Sequence, residues 1–219
     1  MTTDELRPQL LALDWGSSRL RAFLMRGADV LATRESAHGI LYLPQAGPAG
    51  FAEALAAIAG DWLARWPQLP MLACGMVGSA QGWREVPYLR CPADLGDLAA
   101  HLVALDTAHG RPLWIVPGLL YDAPGAMPDV MRGEETQIVG ALDLDAAEAA
   151  CTFILPGTHA KWARFEAGRL VGFATYLTGE LYAVLRAHSI LGRLMPVADP
   201  PYDDAAFARG VAFAAASRA

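Results

Sequence analysis

The sequence predicts an α/β fold in which a mixed sheet carries helices on its faces. Three runs near the start have the apolar residues and tight turns of consecutive strands, at 10–13, 20–25 and 29–35. The chain then alternates helix and strand, with helices at 51–66 and 94–106 and strands at 69–74 and 113–116. A three-stranded meander followed by this alternation is typical of a mixed sheet with flanking helices.

The first helix rests on apolar residues at helical spacing from Phe51 to Trp62, and Pro67 ends it. The strand that follows leads into a glycine-rich loop at 75–82. In sheets of this kind, ligands bind beyond the carboxyl ends of the strands. Asp14, the loop that starts at Gly75 and the Pro117 turn all fall at such ends, so we expect the functional site there.

The opening pattern of strand, small-residue turn, strand and strand returns in the second half of the chain, at 152–155, 156–159, 161–165 and 169–175. An internal repeat predicts two like domains that face each other. We place them at 1–145 and 146–219, with an acidic, alanine-rich link at 143–150. Helices are expected from 132 to about 144 and at 179–190.

The composition narrows the function classes. The chain has 219 residues, of which 54% are hydrophobic, and a net charge of −6 with no Lys/Arg run. Nucleic acid and anionic membranes are therefore unlikely partners. No apolar run approaches the ~20 residues of a membrane helix, and the first residues do not resemble a signal peptide. The three cysteines lie far apart, which favours the reducing cytoplasm and inert thiols.

The first hairpin contains an acid followed by a small-residue turn, Asp14 and then Gly16, Ser17 and Ser18. A tight Gly-Ser turn points successive N–H groups at one spot, which suits a phosphate. An acid beside it can hold Mg²⁺, which commonly accompanies nucleotide phosphates. The alternative is an ordinary hairpin with Asp14 in its turn. Arg21 is either a surface charge or the partner of a carboxylate.

Several motifs together resemble the 2-dehydro-3-deoxygalactonokinase family: DWGSSRLRAFL, GMVGSAQGW with PYLRCPA, VMRGEETQIVGA, LPGTHAKWA, and LTGELYAVL with AHSILG. The family belongs to the superfamily of sugar kinases, heat-shock chaperones and actin. The resemblance implies a ribonuclease-H-like first domain followed by an incomplete second copy. Family members extend well beyond the last residue here, including the adenosine side of the site. We therefore expect weak or absent turnover and possible self-association of this chain.

The resemblance implies ATP-dependent phosphorylation of 2-dehydro-3-deoxy-D-galactonate at its 6-hydroxyl in galactonate breakdown, with ATP and Mg²⁺ as cofactors. It assigns nucleotide phosphate contacts to Gly16, Ser17, Ser18, Gly157, Thr158, His159 and Lys161. It assigns the sugar acid to Gly75, Met76, Gly78, Ser79, Gln81 and Trp83. Ala80 replaces an expected polar side chain in that loop. The resemblance implies that Asp14 is both a catalytic residue and the residue that binds the metal.

An attacking hydroxyl benefits from a carboxylate within hydrogen-bond reach, and Glu134 and Glu135 are both candidates. Adjacent helical residues point about 100° apart, so both cannot face one ligand well. The resemblance favours Glu134 as the base and keeps Glu135 in reserve; the alternative is that both acids only favour a helix N-terminus.

His159 and Lys161 are expected to share one face of a strand. The alternative is that Lys161 is a solvated strand residue and His159 a structural imidazole. For Trp83, the alternative to a contact with the sugar acid is a hydrophobic anchor in a plain connecting loop. Two rival functions remain, a non-catalytic module that binds sugar acids and a kinase of another acidic sugar.

Overall fold

The computed structural model describes residues 7–125, 127–142, 150–196, 198 and 201–217. The chain forms two compact units, which divide between Tyr176 and Leu177. The first unit contains all the strands of the described residues and builds the candidate site. The predicted link at 143–150 falls almost wholly outside the described residues, so the domain boundary after residue 145 stays a prediction.

The described residues of the first unit form these strands: β1 (Leu10–Trp15), β2 (Leu20–Arg26), β3 (Asp29–Ser36), β4 (Met71–Cys74), β5 (Leu89–Arg90), β6 (Val103–Asp106), β7 (Pro112–Ile115), β8 (Leu119–Tyr121), β9 (Asp129–Met131), β10 (Cys151–Leu155), β11 (Ala160–Glu166) and β12 (Arg169–Tyr176). Its helices are α1 (Pro48–Arg65), α2 (Leu95–Ala100) and α3 (Glu134–Ala141), with a 3₁₀ turn at Met76–Gly78. The second unit contains α4 (Thr178–His188), a 3₁₀ segment at Ile190–Leu194 and α5 (Asp204–Ala216).

The main sheet is mixed, as the sequence predicts. Its strand order is β3-β2-β1-β4-β7-β6. The meander β1–β2–β3 is antiparallel, β1 pairs in parallel with β4, and β4 pairs in parallel with β7. Strand β6 runs antiparallel at the edge. The carboxyl ends of β1, β4 and β7 therefore lie at one end of the sheet, where ligands bind in folds of this kind.

One of the two hydrophobic cores of this unit lies between the main sheet and α1. Alternate residues of β1 point into it, and Leu11, Leu13 and Trp15 are all buried. Trp15 meets Phe51 of α1 at a ring-centroid distance of 5.4 Å, and Trp83 stacks on Phe51 at 5.6 Å. A buried aromatic side chain of this size contributes about 1.5–3 kcal/mol of apolar transfer free energy. This cluster anchors the glycine-rich loop to the sheet.

The prediction of one helix over 94–106 is wrong. The structure has the short helix α2 and then the edge strand β6. Asp94 caps α2 by accepting from the N–H of Asp97, and the side chain of Asp97 accepts from the N–H of Asp94. Val103 and Leu105 then alternate towards the main core, which is the pattern of a strand.

Two smaller sheets complete the first unit. Strands β5, β8 and β9 form one of them, and β10, β11 and β12 form the other as an antiparallel meander. The segment that follows β5 is joined to β12, because Ala93 bridges Leu170 and the Arg169 guanidinium binds Asp94 at 2.9 Å and Asp97 at 2.7 Å. These links fix the second meander within the unit and thereby position its first turn.

The second unit is a helical segment with its own local caps. Asp203 accepts from the N–H of Ala206 at the start of α5, at 2.9 Å. The helix predicted at 179–190 is confirmed as α4, although it ends at His188 and a 3₁₀ segment follows. Among the described residues, no helix of either unit combines the length and apolarity that crossing a membrane requires.

Candidate active site

The first hairpin turn, between β1 and β2, is held by backbone hydrogen bonds from behind. Gly16 donates to the carbonyl of Arg19 at 2.9 Å, and the N–H of Leu41 donates to the carbonyl of Ser17 at 3.0 Å. Gly39 packs so closely that a Cβ there would lie 2.4 Å from the Ser17 carbonyl oxygen. The turn is therefore braced, while Ser17 and Ser18 stay exposed.

Asp14 stands at the end of β1, on the sheet face opposite to Leu13 and Trp15. It is the cross-strand partner of Arg21, and its Oδ2 accepts from the Arg21 guanidinium at 2.6 Å. Of the two possibilities for Arg21, the structure therefore shows pairing with a carboxylate of the protein. The side chain of Asp14 is 24% exposed, which leaves it accessible to a ligand.

Two glycines bring the start of α3 against the end of β4. Gly75 and Gly133 have φ values of 90° and 110°, in the region that favours glycine. A Cβ on Gly133 would lie 3.3 Å from the Cα of Gly75, and a Cβ on Gly75 would lie 2.8 Å from the Trp15 carbonyl oxygen. The backbone just before α3 thus packs on the residue that follows β4, which in turn packs on the end of β1.

The two candidate carboxylates at this helix start have different surroundings. Glu134 lines a cavity, and its Oε2 accepts from the N–H of Arg132 at 3.1 Å. Glu135 is fully buried, and it accepts from the N–H of Gly133 at 2.7 Å and from the Thr136 hydroxyl at 3.1 Å. Burial raises the pKa of Glu135 to about 7. Glu134 is therefore the carboxylate that a ligand can reach.

The three cysteines also differ in burial and therefore in thiol pKa. Burial raises the pKa of the Cys74 thiol to about 12, and the nearby charges of Asp14 and Glu135 add to this shift. Burial also raises the pKa of Cys91 to about 11. Cys151, at the start of β10, is exposed. Since the thiolate is the reactive form, Cys74 and Cys91 are unreactive at neutral pH.

The second hairpin turn, between β10 and β11, faces the first across a cavity of about 320 Å³. Two hairpin turns, the end of β4 and the start of α3 build its wall, which consists of Asp14, Gly16, Ser17, Arg21, Gly75, Met76, Arg132, Gly133, Glu134, Gln137, Leu155, Pro156, Gly157, Thr158 and His159. A second cavity of about 330 Å³ lies at the other end of β1 and β4, near Arg7 and Arg65, and has no carboxylate in its wall.

Nine of the predicted site residues meet at the first of these cavities: Asp14, Gly16, Ser17, Gly75, Met76, Glu134, Gly157, Thr158 and His159. Six others lie outside its wall: Ser18, Gly78, Ser79, Gln81, Trp83 and Lys161. Ser18 faces a different depression, beside Arg19 and Glu35.

The prediction that His159 and Lys161 share one strand face is wrong, because β11 begins at Ala160 and His159 belongs to the turn. Lys161 is not solvated either, since it is only 6% exposed. Its ammonium donates to the Val130 carbonyl at 2.7 Å and to the Thr175 hydroxyl at 2.6 Å. Lys161 therefore fastens β11 to β9 and β12.

Most of the glycine-rich loop folds back on itself. Ser79 is buried, and its hydroxyl donates to the Met76 carbonyl at 2.8 Å. Gly82 lies against Val77, since a Cβ on Gly82 would come within 2.1 Å of the Val77 carbonyl oxygen. Trp83 packs in the aromatic cluster described above, as a hydrophobic anchor. Only Gly75 and Met76, at the start of the loop, open onto the cavity.

The cavity also contains residues that the sequence did not single out. Arg132 and Gly133 precede the predicted carboxylate, and Gln137 follows Glu134 by three residues, which places both on one face of α3. That helical spacing was the available signal for Gln137. The sequence holds no comparable signal for Arg132, because its position depends on contacts with distant residues.

The described part of the chain has no cluster of three or more His, Cys, Asp or Glu side chains that would hold a metal alone. Asp14 and Glu134 nevertheless both line the cavity. Mg²⁺ that accompanies a nucleotide is usually held by one or two carboxylates together with phosphates and water. The donor set therefore fits Mg²⁺ bound with a nucleotide.

Comparison with known proteins gives several similar chains. The 2-dehydro-3-deoxygalactonokinase of Escherichia coli (strain K12) is 38% identical over 186 residues, which cover 85% of this chain and 59% of that protein. A probable 2-dehydro-3-deoxygalactonokinase of Rhizobium meliloti (strain 1021) is 38% identical over 191 residues, 86% of this chain and 60% of that protein.

A crystal structure from Sinorhizobium meliloti, assigned as a 2-dehydro-3-deoxygalactonokinase, matches with a TM-score of 0.73 and 37% identity. The match covers 87% of this chain and 61% of that one, so the chain spans about three-fifths of the length of these relatives. The family model described as 2-keto-3-deoxy-galactonokinase matches residues 14–219. The chain therefore belongs to the 2-keto-3-deoxy-galactonokinase family.

Proposed function

We propose that this chain carries the phosphate-transfer site of a sugar-acid kinase, which uses ATP to phosphorylate 2-dehydro-3-deoxy-D-galactonate at its 6-hydroxyl in cytoplasmic galactonate breakdown. Membership of the family supports the reaction class. The observation that carries the proposal is the cavity itself, where two glycine-containing turns with Ser17 and Thr158 face each other beside the accessible Glu134. This arrangement combines two phosphate-binding turns with one accessible carboxylate.

We extend the proposal to the architecture. The order β3-β2-β1-β4-β7 and its pairing directions support a ribonuclease-H-like first domain, ending near residue 145. The meander β10–β12 repeats the arrangement of β1–β3, which supports a second copy of that fold after residue 145. Two related domains would then each contribute one turn to the nucleotide polyphosphate.

The turns would bind the phosphates through backbone N–H groups and through the hydroxyls of Ser17 and Thr158. Mg²⁺, when bound with the nucleotide, would be held by Asp14 and would neutralise phosphate charge. Arg21 lines the same wall and fixes the Asp14 carboxylate at 2.6 Å. Its guanidinium is also placed to offset negative charge on the transferred group.

Glu134 would act as the general base. It would take the proton of the 6-hydroxyl while the bond from that oxygen to the γ-phosphorus forms and the bond from the γ-phosphorus to the ADP oxygen breaks. Glu135 is fully buried behind it and cannot contact a sugar without rearrangement of α3. Family membership supports a kinase over a binding module, and the accessible Glu134 agrees with that role.

The test is a coupled assay of ADP release with a panel of acidic sugars, together with the Glu134→Gln variant. We expect 2-dehydro-3-deoxy-D-galactonate to be the preferred acceptor. Glu134→Gln should lower kcat by about 10²–10⁴-fold, with ATP affinity little changed, because a base acts on the hydroxyl. Glu166→Gln, which removes an exposed carboxylate far along β11, is the matched control.

Preference for another acidic sugar would overturn the substrate assignment. Binding of the sugar acid without any phosphate transfer would instead favour the binding module. A larger decrease in kcat for Glu135→Gln than for Glu134→Gln would show that Glu135, not Glu134, is the base.

A further inference from the structure

Arg132 is a buried cation at the wall of the cavity. It is only 8% exposed and lies directly before Gly133 and the proposed base Glu134. A guanidinium stays charged at every pH that a folded protein tolerates, so this charge is permanently buried. Burying an uncompensated charge is strongly unfavourable, and proteins ordinarily offset that cost with a carboxylate.

The contacts of Arg132 satisfy only part of its side chain. One terminal nitrogen donates to the Val86 carbonyl at 2.7 Å. The guanidinium carbon lies 4.2 Å from the centre of the Tyr88 ring, which is a cation–π contact. The other terminal nitrogen lies against Gly78, since a Cβ on Gly78 would come within 2.8 Å of it. These contacts hold the guanidinium in place beneath the glycine-rich loop.

The remaining donors have no protein acceptor. Nε and the nitrogen beside Gly78 are both buried and make no hydrogen bond within the described ranges. The Arg132 guanidinium forms no ion pair with a carboxylate of those ranges, although Glu134 accepts from the backbone N–H of Arg132. A held, buried guanidinium with two unused donors is the arrangement expected of a group that receives an anionic ligand.

We propose that Arg132 binds the carboxylate of the sugar acid and thereby selects acidic over neutral sugars. This inference rests on the proposed function, and it assigns a residue that reads the acid group. Each unused N–H donor of the guanidinium can form a charge-assisted hydrogen bond to a carboxylate oxygen. Nε and the nitrogen beside Gly78 lie on different edges of the guanidinium, so one carboxylate takes one of them. Met76 begins the turn that covers Arg132 and also lines the cavity, so this turn must shift slightly for the carboxylate to reach one of these donors.

The position of Arg132 favours the sugar carboxylate over an ATP phosphate. The proposed phosphate contacts lie on the two hairpin turns, whereas Arg132 lies at the start of α3 under the 75–82 loop. Glu134, which would activate the hydroxyl at the other end of the sugar acid, is separated from Arg132 only by Gly133. One ligand could therefore contact both side chains.

The test is calorimetric titration of the 219-residue chain with 2-dehydro-3-deoxy-D-galactonate, with its neutral C1 amide and with ATP. For Arg132→Met we expect the Kd of the acid to rise about 10- to 100-fold, as for one lost charge-assisted hydrogen bond. The Kd values of the amide and of ATP should change less than about threefold. Arg90→Met is the matched control, since Arg90 pairs with Asp122 at 2.5 Å on the surface of β5.

Gly78→Ala is a second variant that keeps the charge. Its Cβ would press on the guanidinium from 2.8 Å, so the acid should again lose more affinity than the amide. Equal losses for acid and amide in Arg132→Met would show a merely structural role and overturn the proposal, as would an unchanged acid affinity. If the wild-type chain binds neither the sugar acid nor pyruvate, a minimal 2-oxo acid, both this inference and the proposed function fail. If it binds pyruvate through Arg132 but not the sugar acid, only the proposed substrate fails.

Discussion

The two hairpin turns of the cavity have the same outline but different surroundings. Asp14 precedes the first turn, whereas Leu155 occupies the corresponding place before the second. Residues 39–41 brace the first turn through backbone hydrogen bonds. In contrast, a Cβ on Gly157 would meet no atom of the described chain within 4 Å. The first turn is therefore next to an acid–arginine pair and is fixed, whereas the second has no carboxylate in the cavity wall and is sterically open at Gly157.

This difference suggests a division of labour within one cavity. The charged groups that would handle Mg²⁺ and phosphoryl charge, Asp14 and Arg21, both belong to the first hairpin. The second hairpin offers backbone donors, a hydroxyl and an imidazole. We infer that the first turn determines the rate of transfer, while the second mainly contributes affinity for the nucleotide.

The largest expected effect is that of Asp14→Asn. The change removes the negative charge that would hold Mg²⁺ and also the partner of Arg21, so turnover should fall by about 10²-fold or more. The same substitution at Asp29, in an exposed pair with Arg26 on the same sheet, is the control. The measurement is kcat at saturating ATP and Mg²⁺. Near-normal turnover of Asp14→Asn would contradict the inference that the first turn determines the rate of transfer.

Gly39→Ala should be the most destabilising change near the first turn. Its Cβ would lie 2.4 Å from backbone atoms of Ser17, Ser18 and Arg19, which cannot move without disturbing the hairpin. We expect a loss of about 3 kcal/mol in the free energy of unfolding, at the upper end for overpacking. Urea denaturation measures it, with Gly157→Ala as the matched control. Equal stability of the two variants would show that the first turn is not braced.

The buried acid next to Glu134 on α3 gives the stability a pH dependence. The pKa of Glu135 is about 7 in the folded chain, against an ordinary value of 4.5. Between these values only the folded state keeps the proton, so stability falls as pH rises and the loss is complete above pH 7. Glu135→Gln cannot lose a proton, so its stability relative to wild type should rise by on the order of 2 kcal/mol between pH 5 and 8.

Urea denaturation across this pH range measures the difference, and Glu166→Gln controls for the change in net charge. A constant difference in stability between Glu135→Gln and wild type at all pH values would refute the assignment.

The buried charge near the second turn, Lys161, differs from Glu135 in its surroundings. Its ammonium has two hydrogen-bond acceptors and lies 3.9 Å from the Asp129 carboxylate, so its charge is already compensated.

The smallest expected effect is that of Gly157→Ala. The Cβ would meet open space, so the melting temperature should stay within error of wild type. It would nevertheless stand where a phosphate is proposed to approach the backbone, and ATP affinity should fall about three- to tenfold, the equivalent of one hydrogen bond. Titration with ATP decides this. An unchanged Kd for ATP would show that the second turn does not contact the nucleotide.

Much of this cavity could be predicted from local sequence. Alternating apolar residues identify β1 and β2, and the strand end places Asp14 beside its turn. The strand-turn-strand repeat likewise predicts the second hairpin. Strands β5, β8 and β9 are only two or three residues long, which is too short for a period of two to appear. One of them, β9, also supplies the Val130 carbonyl that holds Lys161 away from the cavity.

The remaining errors have the same origin in distant contacts. The apolar residues of 94–106 fit a helix, but the second half pairs with β7 as an edge strand. Nothing near Arg132 in the sequence indicates its neighbours Val86 and Tyr88, which lie more than forty residues away in the chain. Propensity and spacing describe single elements, whereas these side chains are placed by tertiary packing.

The unequal burial of the three cysteines has a practical consequence for spectroscopy. Among the three cysteines, Cys151 alone is exposed. The other two thiols are poor nucleophiles, because burial raises the pKa of Cys74 to about 12 and that of Cys91 to about 11. A maleimide fluorophore should therefore label one site without any cysteine having to be removed. That site lies on the strand that leads into the Pro156–His159 turn, so the dye would report nucleotide binding at the second hairpin in the native sequence.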